Sequence, residues 1–374
     1  MQTVSSHAAI DFATMRTCPL CIVPVTEPNT PSPHIAIVRF SALGDVIMVA
    51  AAIRALRREI PGATITWITS PLAFSLLEGL EGVNFAVMEK PNSLSDYRAF
   101  YKRFAQQHFD VVLAMQANLR INLLYPALRA PLKIGFDRTR ARELQWLFSN
   151  RRIPFADSHL VDSFLAFVTA LTGKPAMAEW GIPLTAAVHS WAKERLSGLP
   201  RPLVVLHPVS SKAERNWLPA HYAKLISQAV KFFDCGFVIT GGNSAEERAL
   251  CEQLAQVAPR HTLNLCGQTT TKQLAAVLDE ADALIAPDTA AVHMARAVGT
   301  PVIGLYAVAP SRLTGPYQQT EYCVDRYPEA VREFLGKDAQ SLPWNTRVHH
   351  PGAMALIEVG DVLQQLTRVL GKSV

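Results

Sequence analysis

The sequence predicts an α/β protein made of two tandem halves, each a parallel sheet covered by helices. Three observations carry that expectation: short apolar runs alternate with helical patterns from residue 35 onward, the rhythm breaks over residues 173–202, and it restarts at 203. Alternation of this kind implies parallel strands joined by right-handed crossovers. At 374 residues, 49% hydrophobic and 18% charged, the chain can bury a large core, and its length favours two domains over one.

Residues 1–33 carry Pro19, Pro24, Pro28, Pro31 and Pro33 and no apolar core behind a basic segment, so they are expected to be a disordered extension rather than a secretory signal. Cys18-Pro-Leu-Cys21 is the one CxxC among six cysteines. It has no second pair at zinc spacing and no strand-to-helix context, which predicts free thiols in a reducing compartment. Ile35, Ala36, Ile37 and Val38 read as a strand buried on both faces. Ser41-Ala42-Leu43-Gly44 then breaks the chain, and Asp45 stands where a helix begins. Val46, Val49, Ala50, Ile53 and Leu56 recur at helical spacing, and Arg54, Arg57 and Arg58 gather toward the helix end, where cations suit the dipole. Further strands are expected at 64–69, 84–89, 110–115 and 133–136, with helices at 71–80, 94–107, 120–129 and 159–171. These complete a first half over 34–172.

Gly173, Pro175, Gly181, Pro183, Gly198, Pro200 and Pro202 punctuate a linker over 173–202, which holds one short helix at 190–196. The second half, 203–340, has strands at 203–207, 236–240, 262–266, 283–286 and 302–306 and helices at 219–232, 244–257, 271–278 and 290–298. Residues 341–374 form an irregular tail ending in a helix at 359–370, for which packing back onto the first half is one option.

The formal charge of +5 lies in residues 1–200, which hold 20 Lys and Arg against 15 Asp and Glu, while residues 201–374 balance at 16 and 16. The excess is densest at Arg129, Lys133, Arg138, Arg140, Arg142, Arg151 and Arg152, opposed by Asp137 and Glu143. This is either a solvated basic face or a surface for an anionic partner, such as a phosphorylated or carboxylated acceptor or a membrane. Nucleic acid ranks last, because no binding motif accompanies the patch. Mean hydropathy is +0.13, and no apolar run approaches the roughly 20 residues that a membrane helix needs.

Two facing α/β halves create a cleft at the carboxyl ends of their strands, where ligands bind. No G-x-G-x-x-G follows a strand and no phosphate-binding G-x-x-x-x-G-K-[ST] occurs, so dehydrogenase and NTPase readings lose ground. Asp45 has two compatible roles: helix cap, for which aspartate is favoured, and general base toward a hydroxyl nucleophile. At Asp288-Thr289-Ala290-Ala291, small residues open a helix whose free N–H groups suit a phosphate, with His293 one turn on as a core residue or a ligand. The loop 207–217 can carry Lys212 or Arg215 into the cleft. Glu246 and Glu247, after Gly241-Gly242, stand where a ribose can be bound.

The stretches IVRFSALGDVIMVAAAIRALRREIP, HPVSSKAERNWLPAHYAKL and APDTAAVHMARAVGTPVIGLYAVAPSRLTGPY together resemble glycosyltransferase family 9, the lipopolysaccharide heptosyltransferases, over roughly residues 34–370. The resemblance implies a GT-B fold of two facing Rossmann-like domains and inverting, metal-independent transfer of heptose from ADP-heptose to the lipopolysaccharide inner core, with no cofactor. It assigns the acceptor to the first domain and the nucleotide sugar to the second. Asp45 matches the general base. Arg215, Asp288, Thr289, Ala290, Ala291 and His293 match the donor diphosphate side, Glu246 a ribose contact, and Ser41, Gly44 and Arg120 the acceptor side. It further implies a cytoplasmic monomer in peripheral contact with the inner membrane and a glycolipid acceptor.

The chain departs from many relatives at Arg215, where they carry lysine, and at Ala307-Val308-Ala309, where they carry a glycine- and proline-containing turn. An epimerase or hydrolase of the same architecture, and a non-catalytic nucleotide-sugar binder, remain as alternatives.

Overall fold

The computed structural model describes residues 32–371, so Cys18, Cys21 and the expectation for residues 1–33 lie, apart from Ser32 and Pro33, outside the described residues. The first half contains β1 (His34–Val38), α1 (Leu43–Glu59), β2 (Thr64–Thr69), α2 (Pro71–Leu77), β3 (Val83–Val87), α3 (Leu94–Phe104), β4 (Val111–Leu113), α4 (Leu119–Asn122), β5 (Leu132–Gly135), β6 (Arg151–Arg152) and α5 (Leu160–Thr172). After α6 (Ala186–Leu196), the second half follows as β7 (Leu203–Leu206), α7 (Pro219–Phe233), β8 (Gly236–Ile239), α8 (Ala245–Ala255), β9 (Thr262–Asn264), α9 (Thr271–Asp279), β10 (Ala283–Pro287), α10 (Ala290–Val298), β11 (Val302–Tyr306), α11 (Ser311–Thr314), β12 (Val324–Asp325), α12 (Tyr327–Leu335) and α13 (Val359–Leu370).

The sheets are ordered β3-β2-β1-β4-β5-β6 and β12-β11-β10-β7-β8-β9, with all pairs parallel. Numbered within its own half, each has the order 3-2-1-4-5-6 of doubly wound nucleotide-binding folds. The direction of winding reverses between β1 and β4 and between β7 and β10. Ligand crevices open at such reversals, so the fold itself points to the loops after these four strands. The central strands are apolar on both faces because helices cover both: Ile35 pairs with Ile65 and Val111, and Val205 pairs with Leu284 and Val238, all fully buried or nearly so.

Three expectations need correction. Residues 120–129 do not form one helix; Asn118 caps the four-residue α4, and Pro126 sits inside a separate single 3₁₀ turn, Tyr125–Ala127, since proline removes the donor a continuing helix requires. The stretch between β11 and the tail, where no element is expected, holds α12, which starts with Pro328 in its first turn and ends at Gly336 in the left-handed conformation. α13 does not cross back onto the first half. It packs against α7, and Val359, Val362 and Leu366 enter a core shared with Leu225, Ile226 and Phe237. Each such apolar side chain contributes about 1.5–3 kcal/mol on full burial, which fixes the helix to the second half. Cys251, Cys266 and Cys323 carry free thiols.

Candidate active site

Each winding reversal carries an aspartate–arginine pair. In the first half, β1 leads into Arg39, whose guanidinium meets the Asp45 carboxylate in a close ion pair and donates 2.6 Å to the Met115 carbonyl after β4. The Phe40 N–H donates 2.7 Å to Gln116 Oε1. These bonds tie the 39–42 turn to the exit of β4 across the reversal. α1 begins two residues earlier than the apolar spacing indicates, with Ala42 at the N-cap. Asp45 is therefore not the cap. It sits in the first turn, and its Oδ2 accepts 3.2 Å from the Ala42 N–H, satisfying a donor that alanine cannot serve. The carboxylate is thereby aimed, and its side chain stays 25% exposed.

Beside it lies a cleft of about 310 Å³ whose wall includes Phe40, Ser41, Lys90 and Arg120. Ser41 and Arg120, distant in sequence, thus line one cleft. Lys90 was not foreseen. Burial, and then the charges of Arg120 and Arg39, hold its ammonium pKa below the usual lysine value, so three cations share this region.

In the second half, β10 delivers Asp288 and the short turn Ala213–Arg215 delivers Arg215, with Nη1 3.0 Å from Asp288 Oδ2. The Ser210 hydroxyl donates 3.1 Å to the Asp288 carbonyl, and the Ser210 N–H donates 2.7 Å to Asn216 Oδ1, which pins the 207–216 loop over the strand end. Burial raises the Asp288 carboxyl pKa; Arg215, Arg347 and the Thr314 hydroxyl oppose the rise, and Asp45 adds to it. The two aspartates are therefore near enough to feel each other's charge.

Arg347 escaped the sequence reading because it lies in the tail. Tyr327 donates 3.1 Å to the Thr346 carbonyl, the Val348 N–H donates 3.0 Å to the Val308 carbonyl, and His349 Nδ1 meets Glu214 Oε2 at 2.8 Å, so both sides of Arg347 are anchored. Burial lowers its pKa, as do the neighbouring charges of Arg215 and Arg142, while Asp288 opposes. Two guanidiniums thus bear on one carboxylate, and Arg215 Nε is buried without a hydrogen-bond partner among the described residues. Surplus half-buried cation and an orphaned donor are what an anion site presents before its anion arrives.

Thr289 caps α10, its Oγ1 accepting 3.0 Å from the Ala291 N–H. Of the expected phosphate donors, Ala291 is therefore already engaged, and Ala290 opens the helix beside it. His293 is buried, with Nδ1 unpartnered among the described residues, and burial pushes its pKa down to about 4 against the pull of Asp45. Its ring lies on Gly44: a Cβ there would sit 2.7 Å from His293 Cδ2. Gly44 is required by this close approach of α1 and α10. Glu246 is exposed at the start of α8, and Lys212 is exposed on its loop.

The halves are latched by other groups of the T-G-P-Y segment. His159 caps α5, with Nδ1 accepting from the Val161 N–H at 3.1 Å, which leaves Nε2–H to donate 2.9 Å to the Gly315 carbonyl. The Tyr317 hydroxyl donates 2.6 Å to Asp162, and Arg312 pairs with Asp157 at 2.7 Å. Both aspartate–arginine pairs consequently face one seam.

Comparisons with known proteins identify the family and the fold. The family model of glycosyltransferase family 9 (heptosyltransferase) matches residues 97–340. The chain is 30% identical over 337 residues to the lipopolysaccharide core heptosyltransferase OpsX of Haemophilus influenzae, covering 90% of this chain and 96% of that protein. Among solved structures, a family 9 glycosyl transferase from Veillonella parvula superposes with a TM-score of 0.75 at 18% identity, over 91% of this chain and 98% of that one. E. coli ADP-heptose lps heptosyltransferase II superposes with 0.69 at 18% identity, over 90% and 98%. The fold is thus the two-sheet α/β architecture of those enzymes, and the chain belongs to glycosyltransferase family 9, the heptosyltransferases.

Proposed function

We propose that the protein transfers a heptose from ADP-heptose to the inner core of lipopolysaccharide, with inversion and without a metal ion, the first half holding the acceptor and the second the donor. The observation that carries this reading is the placement of two unlike aspartate–arginine pairs on one seam, one beside a cleft lined by Lys90 and Arg120 and one with a surplus of half-buried guanidinium. The donor and acceptor classes follow from the names of the relatives. In this reading Asp45 takes the proton of the acceptor hydroxyl as its oxygen bonds to the anomeric carbon. The bond from that carbon to the diphosphate breaks on the opposite face, and ADP leaves with the electron pair. Arg215, Arg347 and the N-terminus of α10 offset the charge that develops on the diphosphate. Ser41, Lys90 and Arg120 orient an anionic acceptor, and Glu246 is assigned to the ribose.

The test is ADP release from ADP-heptose with and without a heptose-deficient core acceptor, in EDTA. Acceptor-dependent release supports the reading. Release or sugar conversion without acceptor indicates a hydrolase or epimerase, and binding of ADP without turnover indicates a non-catalytic binder. Activity abolished by EDTA and restored by a divalent ion removes the metal-independent part.

A further inference from the structure

Two cysteines meet beneath the loop that follows β8. Cys251 lies on α8, one turn after Glu247, on the face that the helix turns to the core, and it is fully buried. Cys266 follows β9 and is 4% exposed. A Cβ on Gly241 would sit 2.9 Å from Cys266 Sγ and 3.6 Å from Cys251 Sγ, so one missing side chain leaves room for both sulfurs. The Cys251 thiol hydrogen-bonds to the Cys266 sulfur, and the Cys266 thiol in turn donates 3.3 Å to the Gly242 carbonyl.

These sulfurs hold a loop. The Gly267 N–H donates 3.1 Å to the Gly241 carbonyl, so the Gly241-Gly242 turn rests on residues 266 and 267 through two bonds, one of them from a thiol. On its other side the Gly242 N–H donates to the Glu247 carboxylate in a short hydrogen bond. Glu246, assigned above to the donor ribose, is the adjacent residue in the first turn of α8. A change at either sulfur therefore reaches the turn and the helix start that would hold the nucleotide. Cys266 keeps a sliver of exposure, and Gly241, Gly242 and Gly267 carry no side chain that could bar a water-sized oxidant from it.

The surroundings also separate the two thiols. The hydrogen bond from Cys251 holds the Cys266 thiol below its ordinary pKa, with Arg248 assisting and burial and Glu247 opposing. The same bond, together with burial, pushes Cys251 up. Cys266 is thus the readier thiolate and Cys251 keeps its proton, the division found between an attacking and a resolving cysteine.

We propose that Cys251 and Cys266 form a redox switch, which a peroxide closes into a disulfide that frees the Gly241-Gly242 turn and lowers affinity for the donor nucleotide, and which a dithiol reopens. The Cys266 thiolate attacks one peroxide oxygen; the S–O bond forms, the O–O bond breaks, and the departing hydroxide takes up a proton as water. The Cys251 sulfur, releasing its proton, then attacks the sulfenic sulfur of Cys266; the S–S bond forms, the S–O bond breaks, and a second water leaves. Two thiols lose two electrons and one peroxide gains them. Closure removes the S–H that served the Gly242 carbonyl, and it draws the sulfurs to about 2.05 Å, which pulls α8 toward the exit of β9. The disulfide stands on the thiol geometry alone; its effect on the nucleotide rests on the function proposed above.

The test treats the full chain with hydrogen peroxide, blocks the remaining thiols and digests with trypsin in the absence of reductant. Cys251 and Cys266 fall in separate peptides, 249–260 and 261–272, so the disulfide is read as one linked mass that dithiothreitol abolishes. Amide exchange across 241–247 is expected to quicken on oxidation. Calorimetry should show ADP affinity falling about tenfold, the effect of about one lost hydrogen bond, and recovering with reductant. Cys251→Ala should bind ADP like the reduced parent and no longer respond to peroxide. Unlinked peptides, whether both thiols are blocked or Cys266 alone has gone on to the sulfinic acid, overturn the proposal. So does a linked pair that leaves exchange and ADP affinity unchanged, or an ADP response to peroxide that survives in Cys251→Ala. If the reduced chain binds no ADP at all, the donor reading fails, while linkage and exchange still decide the switch.

Discussion

The two halves share a strand order but use it in opposite ways. At the first reversal the arginine follows the strand and the aspartate lies in the helix, with the carboxylate more exposed than its partner, 25% against 11%. At the second the aspartate follows the strand and the arginine comes from a loop, and here the carboxylate is the more buried, 13% against 24%. Inverting the pair changes what each site offers. The first leaves its carboxylate the more accessible partner; the second hides its carboxylate and leaves the guanidinium the more accessible. On the proposed reading, one scaffold supplies a proton acceptor on one side of the seam and a charge acceptor on the other, the division of labour that glycosyl transfer to a hydroxyl requires.

The comparison breaks most readily at Asp45. Asp45→Asn keeps the shape and removes the proton acceptor; kcat should fall by about 10³-fold while ADP affinity measured by calorimetry stays within about twofold. Retained turnover would make the first pair purely structural and the two halves alike. On the other side, Arg215→Ala should lower kcat/KM by about 10²-fold, and Arg215→Lys should recover part of that, because a point charge replaces a forked donor. If the lysine variant equals the parent, bidentate geometry has no role there. A smaller effect tests whether the tail belongs to the donor site: Arg347→Ala should raise KM for ADP-heptose about tenfold with the acceptor KM unchanged. An acceptor effect instead would move Arg347 to the other side of the seam.

The smallest effect is on stability and comes from the seam itself. Burial pushes His159, His207 and His293 down to about 4 from 6.5, with Gly315 and Asp162 opposing the fall at His159 and Asp45 opposing it at His293. A depressed histidine binds its proton in the unfolded chain before the folded one, so the stability it contributes is present above pH 6.5 and is lost as pH falls toward 4. Chemical denaturation across that window should show ΔG falling with a slope of up to about three protons, or several kcal/mol in all. His159→Asn, which keeps a helix cap, should flatten the slope by about one proton. No change in slope would mean that the latch is open in solution.

Much of this was legible in the chain because local and global preferences agree where the strands are buried. The bounds of β2, β11, α10 and α13 follow from apolar runs ended by Gly, Pro or polar residues, and Gly44-Asp45 and Asp288-Thr289 stood out because small or acidic residues interrupt such runs. What could not be read is set by tertiary placement. β6 and β12 are two residues long and exist through pairing with a neighbour. Arg39 and Lys90 look like ordinary basic residues until the fold sets Arg39 against Asp45 and Lys90 in the cleft with Arg120, and Arg347 is invisible until three separate hydrogen bonds return the tail to the second reversal. The missing Cβ of Gly44 is read from sequence as turn chemistry, but its reason is a histidine about 250 positions away along the chain.

That glycine has a mechanical consequence. With nothing between the α1 backbone and the His293 ring, the contact acts as an end stop that fixes how near the two halves can come. A single methyl group there would hold them apart by a few tenths of an ångström or more, at the place where, on the proposed reading, two substrates must be pressed together. A gap of that kind admits water, the commonest competitor for an activated sugar. Gly44→Ala would then be expected to betray itself as wasteful hydrolysis of the donor more than as slow catalysis, and fidelity would rest on an atom the protein lacks.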